Sequence, residues 1–375
     1  MGKFIAMEIG NRMTKVIYGQ DKKGDIHIKD YRLIENTDKI YDPDGRLNLN
    51  EIQPLLKEIL KEMKVRRAEC YLTVSGMSGV VRLREMPLVK IKEMKEIVRF
   101  EAEQFLPYNI EAFYLDFKVN QIKKSLSEES LDEGGEVAEV MIVAAPKDTV
   151  DEQVELVDKL KLNIKKVDYY TDAIFSYFRK HVLTEDKNTL VVDLGAKSMN
   201  LTMFNGTTYF ANIQSELGIV DLIERHSEYT GSPLNKSREE MFDFEIKTKP
   251  KTSVSDVHTK LERLREKLQF SKLNQSHTNQ IDSEIDPIYE RIYEPIAYEV
   301  TKMMEFFKTR QFGMNVDEIY LIGGGTNLKQ FDTFLKFYHN ISVELVPNHY
   351  KNSDVKDTDY RLLIPVIGGL MQGGH

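Results

Sequence analysis

Glu8-Ile9-Gly10-Asn11-Arg12-Met13-Thr14-Lys15 and Asp193-Leu194-Gly195-Ala196-Lys197-Ser198 set an acid, one apolar residue and a glycine in the same order. A glycine lets backbone pass close to a ligand, and the free N–H groups of a tight turn can grip phosphate. An acid beside that turn can hold Mg²⁺ through water. Thr14 and Lys15 add donors for phosphate oxygens. Both motifs sit in longer matching stretches, FIAMEIGNRMTKVIY from Phe4 to Tyr18 and TLVVDLGAKSMNLTM from Thr189 to Met203. Glu8 aligns with Asp193 and Gly10 with Gly195 at one offset, 185 (193 − 8 and 195 − 10). Either stretch alone reads as a plain β-hairpin. The repetition in register argues for two half-molecules closing on one nucleotide.

A third motif runs Tyr320-Leu321-Ile322-Gly323-Gly324-Gly325-Thr326-Asn327. It predicts a buried strand emptying into three glycines and then a helix, which bares backbone at a helix N-terminus for a nucleoside or phosphate. Two phosphate hairpins followed by this turn form a combined signal. Other chemistries lack their residues. GSPLNKS, Gly231 to Ser237, misses the second glycine of a P-loop, the eight histidines are scattered without HExxH, and GxSxG does not occur.

Positioning these motifs takes the following elements. Residues 4–35 alternate around turns and predict three short strands. Asn50 is expected to cap a helix over 51–63 with Pro54 in its first turn. A strand follows over 70–74. The pattern changes at Val80: strand 80–86, helix 91–105 stopped by Pro107, strand 113–123, a polar acidic loop 125–136, strand 138–145, helix 151–162 and strand 164–169. This reads as a βαββαβ-like module inserted in the first half. A helix over 171–183 leads to the second hairpin, a strand returns at 209–213, and Gly218 opens a helix. Residues 231–282 are polar around an amphipathic helix at 261–273. A long helix 287–307, a strand 318–322, a helix 328–337, a strand 342–346 and a closing helix 361–371, with Pro365 in its first turns, complete the chain.

At 375 residues the chain predicts two or three compact units, and 41% apolar residues suffice for their cores. A net charge of −8 without a long basic run argues against nucleic acid. Cys70 is the single cysteine, so neither an internal disulfide nor a cysteine zinc site can form. No apolar run nears the ~18 residues of a membrane span, and the N-terminus lacks a signal-peptide core. The expectation is a cytoplasmic protein without direct membrane insertion.

These residues resemble the actin, heat-shock chaperone and sugar-kinase superfamily, and within it the type IV pilus assembly PilM family, relatives of the division protein FtsA. Lys90-Ile91-Lys92-Glu93-Met94, Phe100-Glu101-Ala102-Glu103-Gln104-Phe105-Leu106-Pro107-Tyr108 and Tyr114-Leu115-Asp116-Phe117 are similar to that family's insert. Val167-Asp168-Tyr169 with Ala173, and Pro365-Val366-Ile367-Gly368-Gly369-Leu370, are similar to its connecting and closing segments. The resemblance implies a duplicated α/β actin-like (ribonuclease H-like) fold, two lobes around a nucleotide cleft with an FtsA-type 1C insert. Its implied divisions are 1A at 1–77, 166–187 and 346–375, 1C at 78–165, 2A at 188–230 and 296–345, and 2B at 231–295. It implies ATP with Mg²⁺ as cofactors. Gly10, Asn11, Arg12, Thr14, Lys15, Asp193, Gly195, Ala196, Lys197, Gly218, Gly323, Gly324, Gly325 and Asn327 would bind the nucleotide, and Glu8 and Asp193 the metal, mainly through water.

The implied partner is the N-terminal cytoplasmic peptide of a PilN-like membrane protein, docked in a groove of 1C near Val80, Val81, Leu83, Ile97, Phe105 and Tyr108. Pilus assembly ATPases are further partners, and the place is the inner face of the cell membrane. Two departures stand out. Glu8 replaces the family's usual aspartate, and Glu216-Leu217-Gly218 stands where a glycine pair is common. Both weigh against efficient hydrolysis without excluding ATP binding, so the expectation is at most a weak ATPase. Two alternatives stay open: a small-molecule kinase, with Asp168 or Asp172 as base, and an FtsA-like filament former, although no membrane-binding amphipathic helix follows the closing helix.

Overall fold

The computed structural model describes residues 2–371 except 23–24, 38, 43–44, 66, 77–78, 107–108, 125–135, 243–284 and 351–353. The loop read at 125–136 falls almost wholly outside the described residues, and the helix read at 261–273 does so entirely.

Two five-stranded sheets share one topology. In the first, β1 (Gly2–Ile9), β2 (Met13–Lys22) and β3 (Asp25–Glu35) form an antiparallel meander. β4 (Glu69–Val74) then joins β1 in parallel, and β8 (Asn163–Tyr169) joins β4, for the order β3-β2-β1-β4-β8. In the second, β9 (Asn188–Leu194), β10 (Met199–Asn205) and β11 (Thr208–Ser215) form the meander. β12 (Glu318–Gly323) and β13 (Ser342–Leu345) follow in parallel, for the order β11-β10-β9-β12-β13. Helix α1 (Leu49–Glu62) links β3 to β4. Helices α5 (Ile219–Thr230), α6 (Leu234–Met241) and α7 (Pro287–Arg310) precede β12, and α8 (Phe331–His339) precedes β13.

Period-two alternation explains how each sheet is covered on both faces. On β1, Ile5, Met7 and Ile9 enter a core with Ile52 and Leu56 of α1, while Phe4 and Ala6 point the other way. On β9, Leu190, Val192 and Leu194 pack with Ile292, Ile296 and Val300 of α7, while Val191 points away. The two remaining faces meet in one core around α4 (Tyr170–His181) and α9 (Asp357–Leu370), which lie between the sheets. Ile174, Phe178, Leu363 and Ile367 fill that joint.

The third sheet is antiparallel, in the order β5-β7-β6, from β5 (Val80–Pro87), β6 (Phe113–Lys124) and β7 (Glu136–Pro146). Helix α2 (Ile91–Glu103) covers one face through Met94, Val98 and Ala102. The expected βαββαβ module is smaller than read. Helix α3 (Lys147–Lys159) buries Val150, Leu156 and Val157 in the α1 core, and β8 is an edge strand of the first sheet. Both belong to the first lobe because their apolar faces match its sheet. The module also leans on the second lobe. Asn120, at a bulge in β6, donates to the Tyr209 carbonyl at 2.8 Å and accepts from the Tyr209 N–H at 2.9 Å.

Three boundaries differ for local reasons. Asn48, not Asn50, caps α1, because its side-chain oxygen accepts the Asn50 N–H at 3.2 Å, and Pro54 therefore lies past the first turn. Gly324–Asn327 form a tight 3-10 turn, so α8 starts only at Phe331 and the glycines do not abut it. Helix α9 starts at Asp357, which puts Pro365 in its interior. No helix among the described residues is long and apolar enough to cross a membrane.

Candidate functional site

The same alternation aims two acids at one place. Glu8 follows Phe4 and Ala6 on the inter-lobe face of β1, and Asp193 follows Val191 on that of β9. Both are buried, at 4% and 8% exposure. Lys15 stands opposite Glu8 in the first hairpin and places Nζ 2.8 Å from Oε2. Burial alone would lower the Lys15 pKa, but the charges of Glu8 and Asp193 outweigh it and hold the ammonium above its ordinary value. Burial raises the Asp193 pKa, Lys15 and the Tyr170 hydroxyl oppose the rise, and Glu8 adds to it. An acid from each lobe and one lysine thus share a single buried space.

The turns behind these acids match in geometry. The Gly10 N–H donates to the Met13 carbonyl at 3.1 Å, and the Gly195 N–H to the Ser198 carbonyl at 2.9 Å. A Cβ on either glycine would stand 2.9 Å from that carbonyl, so both turns require glycine. Asn11 and Lys197 are exposed at their tips, and Arg12 and Ala196 are half-buried. The first turn is stitched by one residue, Asn36, whose backbone N–H donates to the Arg12 carbonyl at 2.8 Å. Asn36 donates through Nδ2 to the Gly10 carbonyl at 2.6 Å, and its Oδ1 accepts the Thr14 hydroxyl at 2.8 Å. The second is stitched by backbone: the N–H groups of Ile219 and Val220 donate to the carbonyls of Gly195 and Ala196, both at 3.0 Å. Gly218 caps α5 against the Ala196 carbonyl. Gly323 has φ +73°, and a Cβ there would fall 1.9 Å from Asp193 Oδ1, so it lies directly under that carboxylate. Gly324 packs on Ile219 and Gly325 on Leu194, while Asn327 is half-buried at the end of the same turn.

Of the residues read from the two hairpins and the glycine turn, Glu8, Lys15, Asp193 and Gly323 therefore converge between the lobes, Gly324 and Gly325 pack on the second lobe's own core, and Thr14 is fully buried and spends its hydroxyl on Asn36. Residues outside that reading join them. Tyr170, at the start of α4, donates its hydroxyl to Asp193 Oδ2. Glu35 accepts from Arg12 and, across the lobes, from Arg238 of α6, each at 3.1 Å. A lone amide just past a predicted strand is the one legible sign of Asn36, and Tyr170, Glu35 and Arg238 carry none.

The six apolar residues expected to form one groove do not share a face. Val81 is buried and Leu83 half-buried in the inter-lobe core. Ile97 and Phe105 are half-buried against the α2 core, on the other face of the three-stranded sheet, where Arg84 lies over the Phe105 ring at 5.2 Å. Strand alternation forces the split: odd positions of β5 face the lobes, and Arg84 and Met86 face α2. Val80 is half-buried at the start of β5, and Tyr108 lies outside the described residues.

A family model described as type IV pilus assembly protein PilM matches residues 6–224. A solved structure of a PilM-PilN type IV pilus biogenesis complex superposes with a TM-score of 0.70 at 20% identity, covering 97% of this chain and 96% of that one. The ethanolamine utilization protein EutJ from Carboxydothermus hydrogenoformans superposes with a TM-score of 0.54 at 10% identity, covering 99% and 90%. No curated protein is matched by the sequence. The architecture is the duplicated, two-lobed actin-like fold.

Proposed function

The chain belongs to the type IV pilus assembly protein PilM family, and on that premise we propose that it is an ATP-binding scaffold that docks a PilN-like membrane protein. One observation carries the nucleotide part: two hairpin turns of equal geometry flank a buried Glu8–Lys15–Asp193 group drawn from both lobes. The donor set suits Mg²⁺ held mainly through water. Two carboxylates face one space, and no group of three or more ligating side chains occurs among the described residues to strip the ion of its shell. Bound Mg²⁺ would neutralise phosphate charge.

The chain's own groups would do the rest. Backbone N–H groups at Asn11, Arg12, Ala196 and Lys197 grip phosphate, Lys15 turns from Glu8 to a phosphate oxygen, and Gly218, Gly323–Gly325 and Asn327 flank the adenosine. Gly10 and Gly195 permit the turns, and Thr14 holds Asn36 against the first. Glu8 is one methylene longer than aspartate and already paired with Lys15, which favours binding over fast hydrolysis. The kinase alternative needs a free acid as base, but Asp168 accepts from Lys166 at 2.8 Å and Asp172 from Lys118.

For the partner, the reading is a cytoplasmic N-terminal peptide of the PilN-like protein laid on the α2 side of the module. There Phe100, one helical turn from the half-buried Ile97, is exposed at 61%. The scaffold then sits at the inner face of the membrane through its partner. Thermal unfolding tests both halves, with Mg²⁺-ATP and an N-terminal PilN-like peptide added separately. Each should raise the midpoint, ATP at a hundredfold excess over its Kd by about 2.7 kcal/mol of stability. Asp193→Ala should abolish only the ATP shift. No ATP shift in the unsubstituted chain removes the nucleotide reading, and no peptide shift removes the docking reading.

A further inference from the structure

Two consecutive tyrosines where β8 meets α4 reach in different directions. Tyr170, 5% exposed, gives its hydroxyl to Asp193 Oδ2, while Asp193 Oδ1 lies against Gly323. Tyr169 gives its hydroxyl to the Gly76 carbonyl at 2.9 Å. Its ring also lies against Gly79, where a Cβ would stand 2.0 Å from the phenol oxygen. Gly76 and Gly79 bracket the chain that leaves the first lobe to begin β5, so they are the root of the inserted module. One dipeptide therefore touches the acid of the second lobe and the root of the module. Phenol rings have few rotamers, so a shift of the Asp193 carboxylate must either break the Tyr170 bond or move the start of α4. Moving that start carries Tyr169 with it.

We propose that Tyr170 is a positioning residue for the Mg²⁺–nucleotide complex at Asp193, and that Tyr169 passes the state of that site to the inserted module. The inference rests on the nucleotide reading above. It makes nucleotide and partner affinity reciprocal: whatever ATP does to the module's affinity for its peptide, the peptide does to ATP. Tyr170 acts through Asp193, so its loss should be felt with the metal and not without it.

The test uses the full chain with Tyr170→Phe and Tyr169→Phe. Calorimetry measures ATP binding with Mg²⁺ and with EDTA, and hydrogen exchange follows the β5 amides. Tyr170→Phe should weaken Mg²⁺-ATP by roughly tenfold, the value of one hydrogen bond to a charged group, and leave ATP in EDTA unchanged. Tyr169→Phe should bind Mg²⁺-ATP as the unsubstituted chain does, yet lose the nucleotide-induced change in β5 exchange. Equal weakening with and without metal, or unchanged Mg²⁺-ATP binding in Tyr170→Phe, overturns the positioning role. A β5 response that survives Tyr169→Phe overturns the coupling and assigns it to the Asn120–Tyr209 contact. Failure of the unsubstituted chain to bind Mg²⁺-ATP overturns the nucleotide reading first and this inference with it.

Discussion

The two hairpins have one backbone and two different fastenings. Gly10 and Gly195 close equal turns, and Glu8 and Asp193 hold equal places on their strands. Yet Asn36 pins the first turn through its backbone N–H and its side chain together, with Thr14 behind it, whereas the first N–H groups of α5 pin the second. The cross-strand neighbour differs too: Lys15 faces Glu8, and Asn200 faces Asp193. A further contrast lies one strand over. Val74 occupies, beside β1, the place that Gly323 holds beside β9. Duplication kept the backbone path, because turn geometry and sheet order fix it. The fastenings diverged, because any donor that reaches the same carbonyl suffices. The second turn is thereby tied by backbone alone, and the first by backbone and by the side chain of one residue, Asn36.

The sharpest way to break the contrast is Gly323→Ala. The left-handed φ and the overlap with Asp193 should together cost at least about 2 kcal/mol, read by chemical denaturation. A loss below that would mean that the backbone at Gly323 yields to a side chain. Next comes Asn36→Ala. It removes two hydrogen bonds and strands the fully buried Thr14 hydroxyl, for about 1–3 kcal/mol. Hydrogen exchange should rise at residues 10–15 and stay unchanged at 195–200, and equal rises at both turns would erase the distinction. Smallest is Arg238→Ala, which frees Glu35 from the second lobe. The three side chains of this cluster, Arg12, Glu35 and Arg238, are 40–53% exposed, so the loss should be under about 1 kcal/mol and vanish in high salt. A larger, salt-independent loss would show Arg238 to be a structural tie between the lobes.

What could be read along the chain was local. A strand, a tight turn and a returning strand write themselves in a dozen residues, so both hairpins, their acids and the duplicated fold were legible. So was the existence of β5 through β7, since alternation in β5 and β6 and a continuous apolar run in β7 need no partner to be recognised. Placement was not. Val81 and Ile97 both read as apolar residues of one block, and only the pleat of a sheet packed on both faces sends them to opposite sides. Helix α3 carries an apolar stripe that suits either the module or the first lobe, and packing against α1 chose the lobe.

The remaining contacts join residues far apart in the chain: Tyr170 to Asp193, Asn36 to Gly10, Arg238 to Glu35. A hydroxyl, an amide and a guanidinium have no periodicity and suit many partners. Their meaning comes from the sheets and the two helices between them, which bring each donor within bonding distance of one acceptor. Spacing thus placed the acids and glycines of the two hairpins on their strands and turns, because backbone geometry is a short-range property. The fold alone chose what holds them, because a hydrogen bond depends on distance in space and not along the chain.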